Sequence, residues 1–287
     1  SFGNAAELII AFTALRENHP ELVKASITGS IIGNLLLVFG LSMFVGGLGR
    51  PTQRFNRTAA GNVTVMLFLA VVALVMPAVF DLAVFGSLAA HPPVIDRLSF
   101  WTSIVLIGAY IGHLIYAFTA QHDLLRAVEE PHRATLTLTQ GLTLLGIATV
   151  LTAVQAEILI GSLEPTLARF GMTELFVGVI VIAIVGNAAE HYSAITAARN
   201  DQMTLSLEIA VGSSAQIALL VAPVLVLASF VMGRPMSLVF NAFEIVAIGL
   251  SVFAVAIAAL DGESNWVEGL QLLAVYLVLA LAFYFIP

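Results

Sequence analysis

Residues 3–7 read GNAAE, and residues 186–190 repeat the same five letters. The two copies align further at a constant offset without a gap, and 15 of the 36 positions from 3 to 38 are then identical in the second copy. Identity at this level predicts a duplicated structural unit. Each copy places one carboxylate, Glu7 or Glu190, beside an amide and small residues inside a very apolar segment. This placement is the first indication of function.

The composition predicts an integral membrane protein whose main surroundings are a lipid bilayer. The 287 residues are 60% hydrophobic and only 10% charged, with a mean hydropathy of +1.02, whereas soluble domains carry about 25% charged residues. The net charge of −7 leaves no basic surface for nucleic acid. The sequence has no cysteine, which excludes disulfides and thiolate metal sites. No cofactor is expected.

Apolar runs of about 20 residues predict membrane spans. We predict nine of them, at about 1–17, 22–49, 60–85, 98–120, 136–162, 172–199, 203–232, 238–260 and 267–286. The two GNAAE motifs then lie in the first and sixth spans, five crossings apart. Because five is odd, the second copy enters the membrane from the opposite side, which predicts the inverted repeat that is typical of secondary transporters.

The loop that follows the second span sets the predicted orientation. It contains Arg50, Arg54 and Arg57, and positive loops favour the cytoplasm. The polar segment 121–135 falls on the same side, and the C-terminus falls on the other.

An ionised carboxylate inside a bilayer costs several kcal/mol unless it is paired or bound to a cation. The nearest arginines, Arg16 and Arg199, follow Glu7 and Glu190 by nine residues, which is roughly 13 Å along a helix. We therefore expect each glutamate to be either protonated or paired with a bound cation. Two protons or one divalent cation can neutralise the same pair, and this competition is the chemistry of an exchanger.

The polar neighbours of the two glutamates are suited to a hard cation. Asn4 and Asn187 precede the glutamates by three residues, so we expect each pair to share a helix face. Further oxygen ligands are predicted on the following spans, at Ser30, Asn34, Ser213 and Gln216. Ca²⁺ takes about 6–8 such oxygen ligands, and soft metals are disfavoured without thiolates.

Four stretches resemble the two signature regions of the Ca²⁺/H⁺ antiporters, the cation/proton exchangers of the Ca²⁺/cation antiporter superfamily. They are GNAAELI with GSIIGNLLLVFG, at 3–9 and 29–40, and GNAAEHYSAITAA with GSSAQIALLVAP, at 186–198 and 212–223. The tail at 261–285 is also similar to the last helix of that family. In this scheme Glu7 and Glu190 match the glutamates that bind cation and protons, and Asn34 and Gln216 match polar residues supplied by the next helix of each repeat.

The resemblance implies an all-α polytopic membrane protein with a ten-helix core built from two inverted five-helix repeats. It divides the chain into a truncated first repeat at 1–120, a cytosolic acidic linker at 121–135 and a second repeat at 136–287. We expect the extra helix and the first core helix of the family to be absent from this sequence.

Several candidate residues keep a structural interpretation beside the functional one. Asn4 and Asn187 could serve only as interhelical hydrogen-bonding groups, and Ser30 and Ser213 only as small packing residues. His191 could relay protons beside Glu190 or be an ordinary interface histidine. Outside these positions, two acids at span ends are candidates for the cation or proton path, or are plain helix-end acids in water. They are Glu157 and Glu174.

The predicted function is exchange of Ca²⁺ for H⁺ by alternating access, not enzymatic catalysis. A Na⁺/Ca²⁺ exchanger of the same superfamily is the nearest alternative, and a cation channel is a more distant one. A prokaryotic inner membrane is the expected location, with a vacuolar membrane as the alternative. The oligomeric state, including a homo-oligomer, is left open.

Overall fold

A computed structural model describes residues 3–88, 93–119 and 137–286 of the chain. These residues are almost entirely helical, which confirms the all-α part of the predicted fold class. Counting a helix that continues through a π turn as one, the helices are α1 Ala5–Arg16, α2 Pro20–Gly47, α3 Arg57–Phe85, α4 Val94–Thr119, α5 Leu138–Gly161, α6 Leu163–Phe170, α7 Glu174–Gly186, α8 Ala188–Arg199, α9 Met203–Val231, α10 Ala242–Ala258 and α11 Trp266–Phe285. Two short strands, β1 Gln53–Arg54 and β2 Glu263–Ser264, pair antiparallel.

Six helices within the described residues are long and apolar enough to cross a membrane: α2, α3, α4, α5, α9 and α11. The pair formed by α6 and α7 makes a seventh if it counts as one span bent by 114°. The sequence predicts nine spans. With the bent pair counted as a seventh span, the remaining difference of two arises because α1 has only 12 residues and α10 only 17.

The prediction of one continuous span at 172–199 is wrong. The helix ends at Gly186 and restarts at Ala188, and Asn187 between them has φ −94° and ψ 9°. Asparagine favours such helix starts because its side chain competes for hydrogen bonds with the backbone. Within the first predicted span, at about 1–17, α1 likewise begins after an asparagine, Asn4, which has φ −83° and ψ 19°.

The duplication seen in the sequence is also a duplication of the backbone. The offset between the copies is 183 residues (187 − 4), and it relates both ends of α1 to both ends of α8 and the first residue of α2 to that of α9. It also relates Asn18 to Asp201, the two non-glycine residues with positive φ among the described residues, at 69° and 66°. Both α2 and α9 contain a π turn at the same place, at Gly33–Val38 and Ile217–Val221.

The two long helices that carry the repeated Gly-Ser pairs form the centre of the protein. In their most apolar stretches 83% of the residues of α2 and 61% of those of α9 are buried, against 39% or less in α3, α4, α5 and α11. The outer helices present large apolar side chains on their exposed faces, such as Leu69, Val105 and Leu277. This arrangement is expected when lipid is the surrounding solvent.

A close crossing holds α2 against α7. A Cβ atom added to Gly29 would lie 2.1 Å from the carbonyl oxygen of Val179, and one added to Gly178 would lie 2.5 Å from the Cβ atom of Ala25. Small residues allow helix backbones to approach this closely in membranes. The crossing brings the start of the second copy of the motif next to the ligand-bearing part of α2.

The segment 121–135, expected to be a cytosolic acidic linker, lies outside the described residues. The division of the chain at 1–120, 121–135 and 136–287 therefore stays a prediction.

Candidate cation-binding site

The two motif glutamates lie in the first turns of α1 and α8, and the asparagines stand at the N-cap positions of those helices. Asn4 and Asn187 are therefore positioned just before the helices rather than within them, although both are almost completely buried, at 2% and 1% exposure. Helix N-termini carry a partial positive charge, which favours a carboxylate in the first turn. This argument applies to Glu7, whereas the C-terminus of α7 at Gly186 lies one residue before α8 and opposes the effect at Glu190.

Each asparagine contacts the polar residues on the long helix of the other copy. The Asn4 amide Nδ2 donates to Gln216 Oε1 at 3.0 Å, and Ser213 Oγ donates to Asn4 Oδ1 at 2.6 Å. These contacts join the start of α1 to α9. Counting both copies, six of the eight predicted ligands form hydrogen bonds that join one copy to the other. They are Asn4, Ser30, Asn34, Asn187, Ser213 and Gln216.

The equivalent contacts in the other copy join the start of α8 to α2. The Asn187 amide Nδ2 donates to Ser30 Oγ at 2.9 Å and to the Ala183 carbonyl at 2.8 Å. In turn Asn34 Nδ2 donates to Asn187 Oδ1 at 3.2 Å. The interhelical hydrogen-bonding role and the ligand role are thus compatible, because each bonded amide is held in place beside a glutamate.

The two carboxylates meet the opposite copy through the motif glycines. A Cβ atom added to Gly3 would lie 2.8 Å from Glu190 Oε1, and one added to Gly186 would lie 3.6 Å from Glu7 Cγ. Each glycine thus lies against the glutamate of the other motif. The site lies where the starts of α1 and α8 come together, between α2 and α9.

The hydrogen bonding of the two carboxylates differs. Glu190 is half-buried, and its Oε2 lies 2.6 Å from Ser213 Oγ, whose single proton is donated either to Glu190 or to Asn4 Oδ1. Glu7 is 9% exposed, and neither of its carboxylate oxygens has a hydrogen-bond partner within the described residues. The same is true of the buried Oδ1 atom of Asn34. Buried polar atoms usually have partners, so these three oxygens are suited to a cation, and the Glu7 oxygens equally to protons.

The donor set consists of oxygens from two carboxylates, with neutral amides and hydroxyls around them. No group of three or more His, Cys, Asp and Glu residues that could hold a metal ion occurs in the part of the chain that the structure describes. Oxygen ligands suit Ca²⁺, and a low count of charged ligands weakens its binding. A site of this kind is suited to a transported ion, which must be released, rather than to a resident metal.

Asn34 and Gln216 are not at equivalent positions, although both bond to a motif asparagine. At the constant offset Gln216 matches Gly33, and Asn34 matches Ile217. Both positions lie at the start of the π turns. The longer glutamine side chain, set one residue earlier, reaches Asn4 on one side as Asn34 reaches Asn187 on the other.

The three candidate path residues lie outside the hydrogen-bonded centre. His191 follows Glu190 on α8 and is half-buried. Glu157 is exposed and pairs with Arg16 at 3.1 Å, and Glu174 pairs with His19 at 3.2 Å. Glu157, Arg16 and His19 border a cavity of about 480 Å³ beside the end of α1. The structure therefore places both acids beside Arg16 and His19, near the end of α1, where each forms an ion pair.

Sequence reasoning overlooked a buried polar contact between α2 and α10. Thr28 Oγ1 donates to Glu244 Oε1 at 2.9 Å, and Glu244 also forms a capping box with Asn241. One turn earlier, Lys24 Nζ donates to the Val239 carbonyl at 3.0 Å and lies 2.7 Å from Glu21. The signal in the sequence is the single lysine of the chain, placed four residues before a threonine on an apolar helix.

Comparison with known proteins agrees with this geometry. The sodium/calcium exchanger protein family matches residues 1–119 and 140–285. The chain belongs to this family. It is 43% identical to the Ca²⁺/H⁺ antiporter of Synechocystis over the whole chain and 81% of that protein, which confirms the resemblance of the signature regions.

Solved structures agree with the exchanger fold. The Ca²⁺/H⁺ antiporter protein YfkE superposes with a TM-score of 0.85 at 40% identity, over 99% of this chain and 83% of that one. The sodium-calcium exchanger NCX_Mj has a TM-score of 0.61 at 18% identity, over 98% of this chain and 83% of that one. The second likeness concerns the fold alone.

Proposed function

We propose that this family member exchanges Ca²⁺ for H⁺ across a membrane by alternating access, with Glu7 and Glu190 as the groups that hold either ion. The observation that carries this proposal is the meeting of two buried or half-buried glutamates, one from each copy of the motif. No basic side chain forms a hydrogen bond or ion pair with either of them within the described residues. The names of the relatives at 40% identity or more support Ca²⁺ and H⁺ as the two ions.

The competition between the two ions follows from charge. By insertion scales, a charged side chain at the centre of a bilayer costs about 2.5–3.5 kcal/mol. Ca²⁺ removes the cost for both glutamates at once, and protonation removes it one glutamate at a time. The asparagines, serines and Gln216 hold the surrounding oxygens in place, so that either loaded form fits the same scaffold. The empty, doubly ionised form is the costly one, which couples release of one ion to binding of the other.

The direction of transport follows from the predicted orientation. A proton gradient directed into the cytoplasm would drive Ca²⁺ out, with protons displacing Ca²⁺ on the far side and leaving on the cytoplasmic side. The proposed location is the inner membrane of a prokaryote. The inverted relation of the two copies is part of this proposal, and the reciprocal contacts of Asn4 and Asn187 support it.

The test is Ca²⁺ flux into proteoliposomes that contain the natural, complete protein, under an imposed pH gradient and without Na⁺. We expect flux from the wild type and none from Glu7→Gln or Glu190→Gln. Glu263→Gln is the matched control, since this partly exposed glutamate pairs with Arg54 away from the site, and it should transport normally.

Three outcomes would contradict the proposal. Normal flux in both site variants would show that the glutamates are structural. A flux that requires Na⁺ would show that Ca²⁺ is exchanged for Na⁺ and not for H⁺, as in the sodium/calcium alternative. A flux that neither saturates nor responds to the gradient would indicate a channel.

A further inference from the structure

The loop after each ligand-bearing helix is also duplicated. The first copy, at 49–56, begins Gly-Arg-Pro and ends Phe-Asn, and so does the second, at 233–241, with one more residue between. Both glycines have positive φ, at 80° for Gly49 and 70° for Gly233. Both asparagines cap the next helix. Arg50 and Arg234 therefore occupy equivalent positions.

The Arg50 side chain links the end of α2 to the end of α8 through hydrogen bonds. Its Nη1 atom donates to the carbonyls of Gly46 and Ala198 at 3.1 and 3.3 Å, and its Nη2 atom donates to the Arg199 carbonyl at 3.2 Å. Its guanidinium also lies 3.6 Å from Asp201. A cation on the last carbonyls of a helix is stabilised by the helix dipole. The packing below it is tight, since a Cβ atom on Gly46 would lie 2.8 Å from the Ala198 carbonyl oxygen.

The acceptor that Arg50 uses is also present in the other copy. After α8, Asp201 N donates to the Ala198 carbonyl, and after α1, Asn18 N donates to the Leu15 carbonyl, both at 3.1 Å. Asn18 and Asp201 share the left-handed conformation. The carbonyls of Leu15 and Arg16 are thus the counterparts of those that Arg50 holds.

The second copy of this contact is not made. Arg234 is exposed, and its side chain has no hydrogen bond or ion pair with any residue that the structure describes. While α8 packs along the last part of α2, α1 packs mainly along α5 and more lightly on the last part of α9. The end of α1 also borders the open cavity lined by Arg16 and Glu157.

We propose that Arg50 and Arg234 are equivalent positioning residues, each of which closes one end of the transport path by binding the last carbonyls of the opposite motif helix. The Arg50 contact is closed in this structure, and Arg234 closes on Leu15 and Arg16 in the alternate state. The inference rests on the proposed alternating access. The two contacts differ in strength, because Arg50 also meets the carboxylate of Asp201, whereas Arg234 would meet the neutral amide of Asn18.

Cross-linking tests the geometry in a cysteine-free background, since this sequence contains no cysteine and any cysteine elsewhere in the complete protein is replaced by serine. One variant carries Arg50→Cys with Asp201→Cys, and the other carries Arg234→Cys with Asn18→Cys. With a short, reducible bifunctional thiol reagent, we expect both pairs to cross-link in proteoliposomes of the complete protein. Each cross-link should stop Ca²⁺ flux, and reduction should restore it. With all four cysteines present, the two cross-links should not form in the same molecule.

Single substitutions give a second readout that a merely structural role would not produce. Arg50→Ala should shift the population towards the state that Arg234 closes, and Arg234→Ala should do the reverse. The apparent affinity for Ca²⁺ measured from one side of the membrane should therefore rise in one variant and fall in the other, each by about two- to fivefold. Lysine at either position should restore part of the effect, since it keeps the charge.

The results separate the two proposals. Absence of proton-coupled Ca²⁺ flux in the wild type would overturn the proposed function. Normal wild-type flux would instead overturn this inference if the 234–18 pair failed to cross-link, if both cross-links formed together, or if both alanine variants shifted the affinity in the same direction.

Discussion

Glu7 and Glu190 hold equivalent places in two copies of one unit, yet of the two only Glu190 has a side-chain hydrogen-bond partner among the described residues. The helices that carry them begin and end at equivalent residues, and the asparagines before them make reciprocal contacts. Two carboxylates with the same backbone therefore differ in the cost of ionisation. Ser213 can donate to an ionised Glu190 in place of Asn4, while Glu7 depends on a bound ion or a proton.

The largest expected effect concerns the shared backbone. Gly29→Ala should destabilise the protein by about 1–3 kcal/mol or more, because the new Cβ atom would meet the Val179 carbonyl at 2.1 Å and a helix backbone cannot yield as a side chain can. Thermal melting of the purified protein in detergent measures the effect. Gly61→Ala is the control, since an added Cβ atom there would meet no described neighbour within 4 Å. Equal melting temperatures would mean that the crossing of α2 and α7 is looser than described.

The next effect concerns the unequal carboxylates. Ser213→Ala removes the single hydroxyl proton that Asn4 and Glu190 share, and a hydrogen bond to a charged group contributes about 1.5–3 kcal/mol. We expect the apparent Ca²⁺ affinity to fall about tenfold or more. Ser30→Ala, at the equivalent position, loses only the hydrogen bond with Asn187. It should lower the apparent Ca²⁺ affinity by about two- to tenfold. Ca²⁺ titration of the flux measures both, and equal losses would remove the distinction between the two halves.

The smallest effect concerns the motif glycines. Gly3→Ala places a Cβ atom 2.8 Å from Glu190 Oε1 and should push that side chain from its position, with a loss of about two- to tenfold in Ca²⁺ affinity. The fold should tolerate the change because the contact is the end of a flexible side chain. In Gly186→Ala the new Cβ atom would lie 3.6 Å from Glu7 Cγ, which is an ordinary contact. The Ca²⁺ affinity of this variant should therefore stay near that of the wild type. The reverse order in flux titrations would contradict the described packing around the two carboxylates.

The site could be predicted from the sequence as far as its composition. The repeat indicated Glu7 and Glu190, and Ser30 and Ser213 on the next helices, because a carboxylate in an apolar segment is costly and its duplication makes an accidental placement improbable. The partners could not be predicted. That Asn4 bonds to α9, and Asn187 to α2, depends on how the two copies pack, and no local pattern encodes it.

Two features of the fold are not visible in a gap-free repeat or in hydropathy. The second Gly-Arg-Pro loop follows one extra residue in α9, so a gap-free alignment of the copies stops before it reaches Arg234. The helix break at Asn187 lies inside an apolar run that satisfies the length of a span. Hydropathy reports burial in lipid, whereas the break is set by a single asparagine whose amide bonds to Ser30 and Ala183.

The buried contact of Lys24 with Val239 has a practical consequence for covalent labelling. Lys24 carries the only side-chain amine in this sequence, is 8% exposed, and donates to a loop carbonyl between α9 and α10. We expect an amine-reactive reagent to modify it faster when that loop lifts from α2. The rate of modification of this one residue therefore reports how often the junction of α2 and α10 opens, without a dye or a substitution.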